Sequence, residues 1–272
     1  MPTDSFPQPR DFLDESEALY AILAPRPESD LALATQFKAW TIEDVIAHLH
    51  LFNLAAAMSL GDPDRLKTFF VELRSRRDGG RSLREVSFEL LAPLRGRALL
   101  EQWHDDCVET ARAFERVDPK LRVPWGGPDM SARSSISARL METWAHGQAV
   151  FDRLGVERVD SDRIRNVAVL GVNTFAWTFH NRGLDVPGPA PRVRLEAPSG
   201  ALWEWNPESE SGLVEGSATE FCQVVAQTRA WQDTRLRAEG EIARAWMAIA
   251  QCFAGPPEDP PMPGTRTLVR PA

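Results

Sequence analysis

Apolar positions recur at helical spacing through most of the first 185 residues, interrupted by short runs of proline, glycine and aspartate. This periodicity predicts helices near residues 9–24, 41–60, 62–78, 82–117 with a break at Pro93, 131–154 and 161–182. Thr41 followed three residues on by Asp44 resembles a capping box. Gly155 and Gly183 stand just past two predicted helix ends, where a left-handed residue favours glycine. At residues 184–193, LDVPGPAPRV ends the helical pattern, because proline cannot continue a helix, and the period falls to two. Val193, Leu195 and Ala197 alternate with Arg192, Arg194 and Glu196; a Pro198-Ser199-Gly200 turn then leads to a second strand over residues 201–205, a hairpin. A polar loop, a helix over 217–228, a short strand over 235–238 and a helix over 240–253 follow, and the proline-rich tail from Pro256 predicts an extended or disordered strap. The expected fold is mainly α: a helical domain over residues 1–185, then a small α+β domain over 186–272.

A chain of 272 residues, 43% of them hydrophobic, is long enough to bury at least one sizeable core. Its 39 acidic and 31 basic residues give a net charge of -8, with no lysine or arginine stripe to track a phosphate backbone, so no nucleic-acid partner is expected. No stretch approaches the ~18 consecutive apolar residues of a spanning helix. The first residues lack the basic and apolar segments of a secretory signal, so no membrane partner and a cytoplasmic location are expected. Cys107, Cys222 and Cys252 are scattered, with no C-x-x-C pair, and read as buried thiols of a reducing compartment. Oligomeric state is left open by the sequence.

The common phosphate-loop, nucleophile-elbow and H-E-x-x-H signatures are absent, which turns attention to the five histidines. Glu142 and His146 lie four apart on one predicted helix, so that a carboxylate and an imidazole share a face and can clasp one divalent cation. His48 and His50 flank the apolar face formed by Ile42, Val45, Ile46, Leu49 and Phe52 about equally, and periodicity does not choose between them. His104 and His180 stand alone in helical context and read as structural.

Two segments carry a family resemblance. Trp40-Thr41-Ile42-Glu43-Asp44-Val45-Ile46-Ala47-His48-Leu49 resembles a W-[ST]-x-x-D-x-x-x-H-L element, and Arg139-Leu140-Met141-Glu142-Thr143-Trp144-Ala145-His146-Gly147 resembles an R-x-x-E-x-x-x-H-G element. Both are elements of the mycothiol-dependent maleylpyruvate isomerase family, whose N-terminal part is a DinB-like four-helix metal-binding bundle. The GLVEGSATEFCQVV and RLRAEGEIARAWMAIAQCFAG segments look like the small sterol-carrier-like C-terminal domain of that family.

The resemblance implies His48, Glu142 and His146 as metal ligands and leaves His50 out. Two imidazoles and a carboxylate suit Zn²⁺ best, with Ni²⁺ or Mn²⁺ as alternatives, and leave a coordination position open. In the family that position is associated with a low-molecular-weight thiol, mycothiol or an equivalent, and the implied partners are this thiol and a small electrophile such as maleylpyruvate. A metal-stabilised thiolate can add to an activated double bond, permit rotation and leave, or act as an S-transferase nucleophile. Arg182 and Arg229 are candidate cations for an anionic substrate, and Trp125 is a candidate wall or a plug at the bundle end. Two other functions fit the same residues: a metal-assisted hydrolase with water in the open position, and a non-catalytic protein that binds metal or a small ligand.

Overall fold

The computed structural model describes residues 6–269. By internal contacts the chain divides into two compact units, Met1–Gly147 and Gln148–Ala272.

The first unit is helical. Its elements are α1 (Gln8–Leu23), α2 (Ile42–Gly61), α3 (Pro63–Asp78), α4 (Leu83–Leu91) and α5 (Gly96–Glu115), a two-residue ribbon of β1 (Arg122–Val123) and β2 (Met130–Ser131), and most of α6 (Ala132–Leu154). The long helices α1, α2, α5 and α6 make the bundle. Phe12 and Leu19 of α1, Leu49 and Ala56 of α2, Trp103 and Phe114 of α5, and Ile136, Leu140 and Trp144 of α6 are buried, each set recurring at the three- and four-residue spacing of one helix face. Pro93 breaks the predicted 82–117 helix into α4 and α5. The new N-terminus is satisfied from a neighbouring helix, because Gly96 N–H donates to Glu43 Oε1 at 2.7 Å.

The second unit holds α7 (Arg165–Asn173), α8 (Phe175–His180), β3 (Arg192–Glu196), β4 (Leu202–Trp205), β5 (Leu213–Ser217), α9 (Ala218–Val225), β6 (Arg237–Glu239) and α10 (Glu241–Met247). Sheet order is β4-β3-β5-β6, with β3 parallel to β5 and the other neighbours antiparallel. The predicted hairpin is the β3–β4 pair, in register Val193 to Trp205 and Leu195 to Trp203. Val193, Leu195 and Val214 on the sheet, Phe221 and Val225 on α9 and Trp246 on α10 form the buried core.

Three predicted elements differ. The helix expected over 161–182 is two helices, where Thr174 turns its hydroxyl onto the carbonyls of Leu170 and Gly171. The helix expected over 240–253 ends at Met247, and the segment beyond it bonds outward, Cys252 N–H to Val225 C=O at 2.8 Å. Strand β5 follows the polar loop at positions where the sequence pattern predicts no strand.

The sequence places the domain boundary at the proline run after residue 185, whereas the contacts divide the chain after Gly147. Tight packing of α7 on α9 ties α7 and α8 to the sheet: a Cβ built on Gly171 would lie 2.8 Å from Val225 Cγ2 and 3.0 Å from Phe221 Cε1. Only glycine permits that approach.

Candidate metal centre

Residues 33–41 fold back on themselves before α2 begins. Thr35 N–H donates to Trp40 C=O at 2.7 Å and Ile42 N–H to Leu33 C=O at 3.1 Å. Lys38 and Ala39 complete the turn with φ of 50° and 56°, a left-handed backbone that non-glycine residues seldom adopt. Thr41 then caps α2: its hydroxyl accepts from Asp44 N–H at 3.0 Å, and the Asp44 carboxylate accepts from Thr41 N–H at 2.7 Å. Phe37 and Trp40 are thereby fixed at the mouth of the helix that carries His48.

His48 on α2 and Glu142 and His146 on α6 converge. His48 Nε2 and His146 Nε2 lie 3.1 Å and 3.2 Å from the same oxygen, Glu142 Oε2. One donor atom from each of the three residues falls within 4.8 Å of the others. Ligands about 2.0–2.2 Å from a tetrahedral Zn²⁺ are separated from one another by about 3.3 Å, which the two imidazole distances to Glu142 Oε2 match. Side-chain exposures of 10%, 20% and 14% for His48, Glu142 and His146 leave the cluster reachable from solvent. Its aromatic wall is close: Trp40 lies parallel to the His146 imidazole at 5.8 Å, Phe37 meets that ring edge-on at 4.9 Å, and Phe52 stands 4.9 Å from His48.

Burial, with the charge of Arg139 and the proximity of His146, pushes His48 down to about 4 despite its hydrogen bond to Glu142, so the His48 imidazole is neutral near pH 7. For Glu142, burial works upward, but hydrogen bonds from His146 and His48 and the charge of Arg139 together hold its carboxyl well below the usual carboxylate range. An uncharged His48 and an ionised Glu142 are the states in which these two groups can bind a divalent cation. His48 Nδ1 is buried with no partner among the described residues.

Of the two α2 histidines, it is His48 that faces Glu142. His50 points to α5, with Nδ1 3.7 Å from Asp106 Oδ2, away from Glu142. His104 stacks on Tyr20 at 3.9 Å and meets Glu17 at 2.9 Å, and His180 is exposed at the end of α8. Cys107, Cys222 and Cys252 are buried thiols outside any disulfide among the described residues, and burial raises Cys107 to about 12. Arg229 forks onto Asp152 at 2.6 and 2.7 Å, and Arg182 bonds Asp259 at 2.9 Å and the Glu258 carbonyl. Both candidate cations are thus engaged within the second unit. Trp125 stands beside Arg139 and Phe70.

Arg139 itself carries no role in the reading of the sequence, although it opens the R-x-x-E element. It lies one turn before Glu142 on α6, only 6% of its side chain is exposed, and its Nη2 is 3.9 Å from Glu142 Oε1. A long basic side chain turned into the bundle beside a ligand helix is the signal that helical spacing offers for it.

A sequence profile described as the mycothiol maleylpyruvate isomerase N-terminal domain matches residues 12–151, a stretch that contains all three donors. The chain belongs to the mycothiol maleylpyruvate isomerase family. An uncharacterized protein of Mycobacterium tuberculosis, found in two strains, is 37% identical over 259 residues, covering 93% of this chain and 98% of its own length. Among solved structures, the crystal structure of the mycothiol-dependent maleylpyruvate isomerase superposes with a TM-score of 0.51 at 13% identity, over 85% of this chain and 91% of that one. A histidine-to-alanine mutant of that isomerase gives 0.50 at 14% identity, over 81% and 88%. At these identities the likeness is one of fold, and it runs through both units of this member of the isomerase family.

Proposed function

We propose that the chain is a metal-dependent enzyme that uses a low-molecular-weight thiol, mycothiol or an equivalent, as an isomerase or S-transferase on a small electrophile of the maleylpyruvate type. The observation that carries this reading is the convergence of His48, Glu142 and His146 from two helices, within a chain of the isomerase family. These three residues would hold a divalent cation, with Zn²⁺ favoured by the nitrogen and carboxylate donors. Such a cation, when bound, supplies the positive charge that keeps a thiol in its nucleophilic thiolate form near neutral pH.

The chain's own residues do the rest. Low proton affinity at His48 keeps a nitrogen lone pair available, and Glu142 brings the single negative charge of the donor set. Trp40, Phe37 and Phe52 line the cluster with apolar surface, which limits water around a reacting sulfur and strengthens the electrostatics there. No helix among the described residues is long and apolar enough to cross a membrane. With three buried thiols, this supports a reducing, cytoplasmic setting.

Elemental analysis of tag-free protein, with and without His146→Ala, tests the site. About one divalent ion per chain is expected in the wild type and near none in the variant, because removing one of three ligands leaves too few to hold the ion. Maleylpyruvate isomerisation that appears only on adding thiol supports the activity; turnover indifferent to thiol transfers the site to hydrolytic chemistry.

A further inference from the structure

The guanidinium of Arg139 is an unusual case of a buried cation. A guanidinium offers five N–H donors, and buried polar groups are as a rule satisfied. Yet Arg139 Nη1 is buried with no hydrogen-bond partner among the described residues. Its anionic neighbour among the described residues, Glu142 Oε1, is 3.9 Å from Nη2, beyond hydrogen-bond reach. Arg182 and Arg229, each with 14% of the side chain exposed, both bond carboxylates directly. Arg139 is more deeply buried and is left without such a bond.

Its surroundings belong to the metal centre. Arg139 precedes Glu142 by three residues and His146 by seven, so all three share a face of α6. Phe52 bridges the two groups, 4.9 Å from the His48 ring and 5.7 Å from the Arg139 guanidinium. Trp125 lies 5.5 Å from the same guanidinium. Aromatic faces tolerate a cation but accept no N–H bond in its plane, so the donor edge remains for something else.

The charges at the centre point to an anion. Arg139 and Glu142 bring one charge of each sign and cancel. A divalent ion at His48, Glu142 and His146 would leave two positive charges in a largely desolvated place, of which a thiolate removes one. We propose that Arg139 is a binding site for a carboxylate, or an equivalent oxyanion, on the small molecules that the centre takes. The proposal rests on the thiol-and-metal reading above and adds its substrate class: a thiol or electrophile bearing a negative group beside its reacting atom. Bidentate pairing of guanidinium with carboxylate gives both affinity and orientation.

The test uses Co²⁺-loaded full-length protein, in which the sulfur-to-metal absorption band reports thiol binding, with wild type, Arg139→Gln and Arg139→Lys compared. Two probes share a three-carbon thiol skeleton and end in a carboxylate or a neutral hydroxyl: 3-mercaptopropionate and 3-mercapto-1-propanol. Arg139→Gln is expected to bind the alcohol as wild type does and the carboxylate about tenfold or more weakly, with Arg139→Lys between them. Its metal content is expected to match wild type, since Arg139 supplies no atom to the His48, Glu142 and His146 donor set. Equal weakening of both probes, or lost metal, would show that Arg139 merely positions Glu142 and would overturn the proposal.

A second arm locates the carboxylate. With 2-mercaptoethanol on the metal, succinate binding that Arg139→Gln abolishes assigns the group to the electrophile; preference for 3-mercaptopropionate without succinate binding assigns it to the thiol. Absence of both effects overturns the site. Should the wild type take up no metal, the thiol reading fails by itself, and the arginine is judged on succinate titrated into metal-free protein. Binding lost in Arg139→Gln upholds the anion site, and equal or absent binding refutes it.

Discussion

A single carboxylate oxygen, Glu142 Oε2, is approached by imidazole nitrogens of His48 and His146 at 3.1 and 3.2 Å, and this arrangement distinguishes His48 from His50, only two positions along the same helix. His50→Gln is expected to leave metal stoichiometry unchanged while lowering stability by about 1–2 kcal/mol, because it disturbs a buried contact with α5 and no ligand; elemental analysis and thermal melting check both halves. Loss of metal in that variant would mean that the imidazoles exchange roles. The helical pattern made Glu142 and His146 legible as a pair, since spacing of four fixes a shared face. It could not separate His48 from His50, which flank the apolar stripe equally; the matching motif singled out His48, and it is the His48 ring that lies 3.1 Å from Glu142. Arg139 escaped notice because sequence places a residue on a face without saying whether its charge finds a partner.

Helix α2 owes its start to the Thr41–Asp44 capping box, and the same turn delivers Trp40 to the ligands. Thr41→Ala removes one of the two reciprocal bonds and is expected to cost about 1 kcal/mol in chemical denaturation. Metal affinity should fall only modestly, because His48 lies two turns further along. The cap was legible, as were the long helices and the β3–β4 hairpin, since each is encoded by local chemistry. Strand β5 was not. It pairs in parallel with β3 across an intervening strand, and Glu215 and Gly216 dilute its alternation, so its order comes from long-range pairing rather than from its own composition. The unpredicted stop of α10 at Met247 has a similar origin: Gln251 and Cys252 are held by groups distant in sequence.

At the scale of the molecule, the proline-rich tail is extended and well secured over the described residues. Glu258 C=O accepts from Gln227 Nε2 at 2.8 Å, Gly264 N–H donates to Asp233 at 2.9 Å, and Val269 N–H donates to the backbone carbonyl of Asp152 at 2.9 Å. Ending the chain after Gly255 would leave buried groups at Gln227 and Asp152 short of partners. At about 1–3 kcal/mol for each such group, the melting temperature is expected to drop by about 5 °C or more, measured by calorimetry on the shortened and full chains. An unchanged melting temperature would mean that water replaces these contacts. Composition alone allowed either an extended or a disordered tail, since proline content excludes helix but does not reveal which carbonyls the strap will meet.

The turn at Lys38 and Ala39 has a further consequence. It holds Phe37 and Trp40 in place, yet it lies outside both helices that carry His48, Glu142 and His146. Under the proposed metal-and-thiol function, admission to the centre and retention of an ion would then be encoded in separate stretches of chain. Changes among residues 36–39 would, on that proposal, alter which molecules enter without altering the hold on an ion, leaving relatives with one metal chemistry free to diverge in diet.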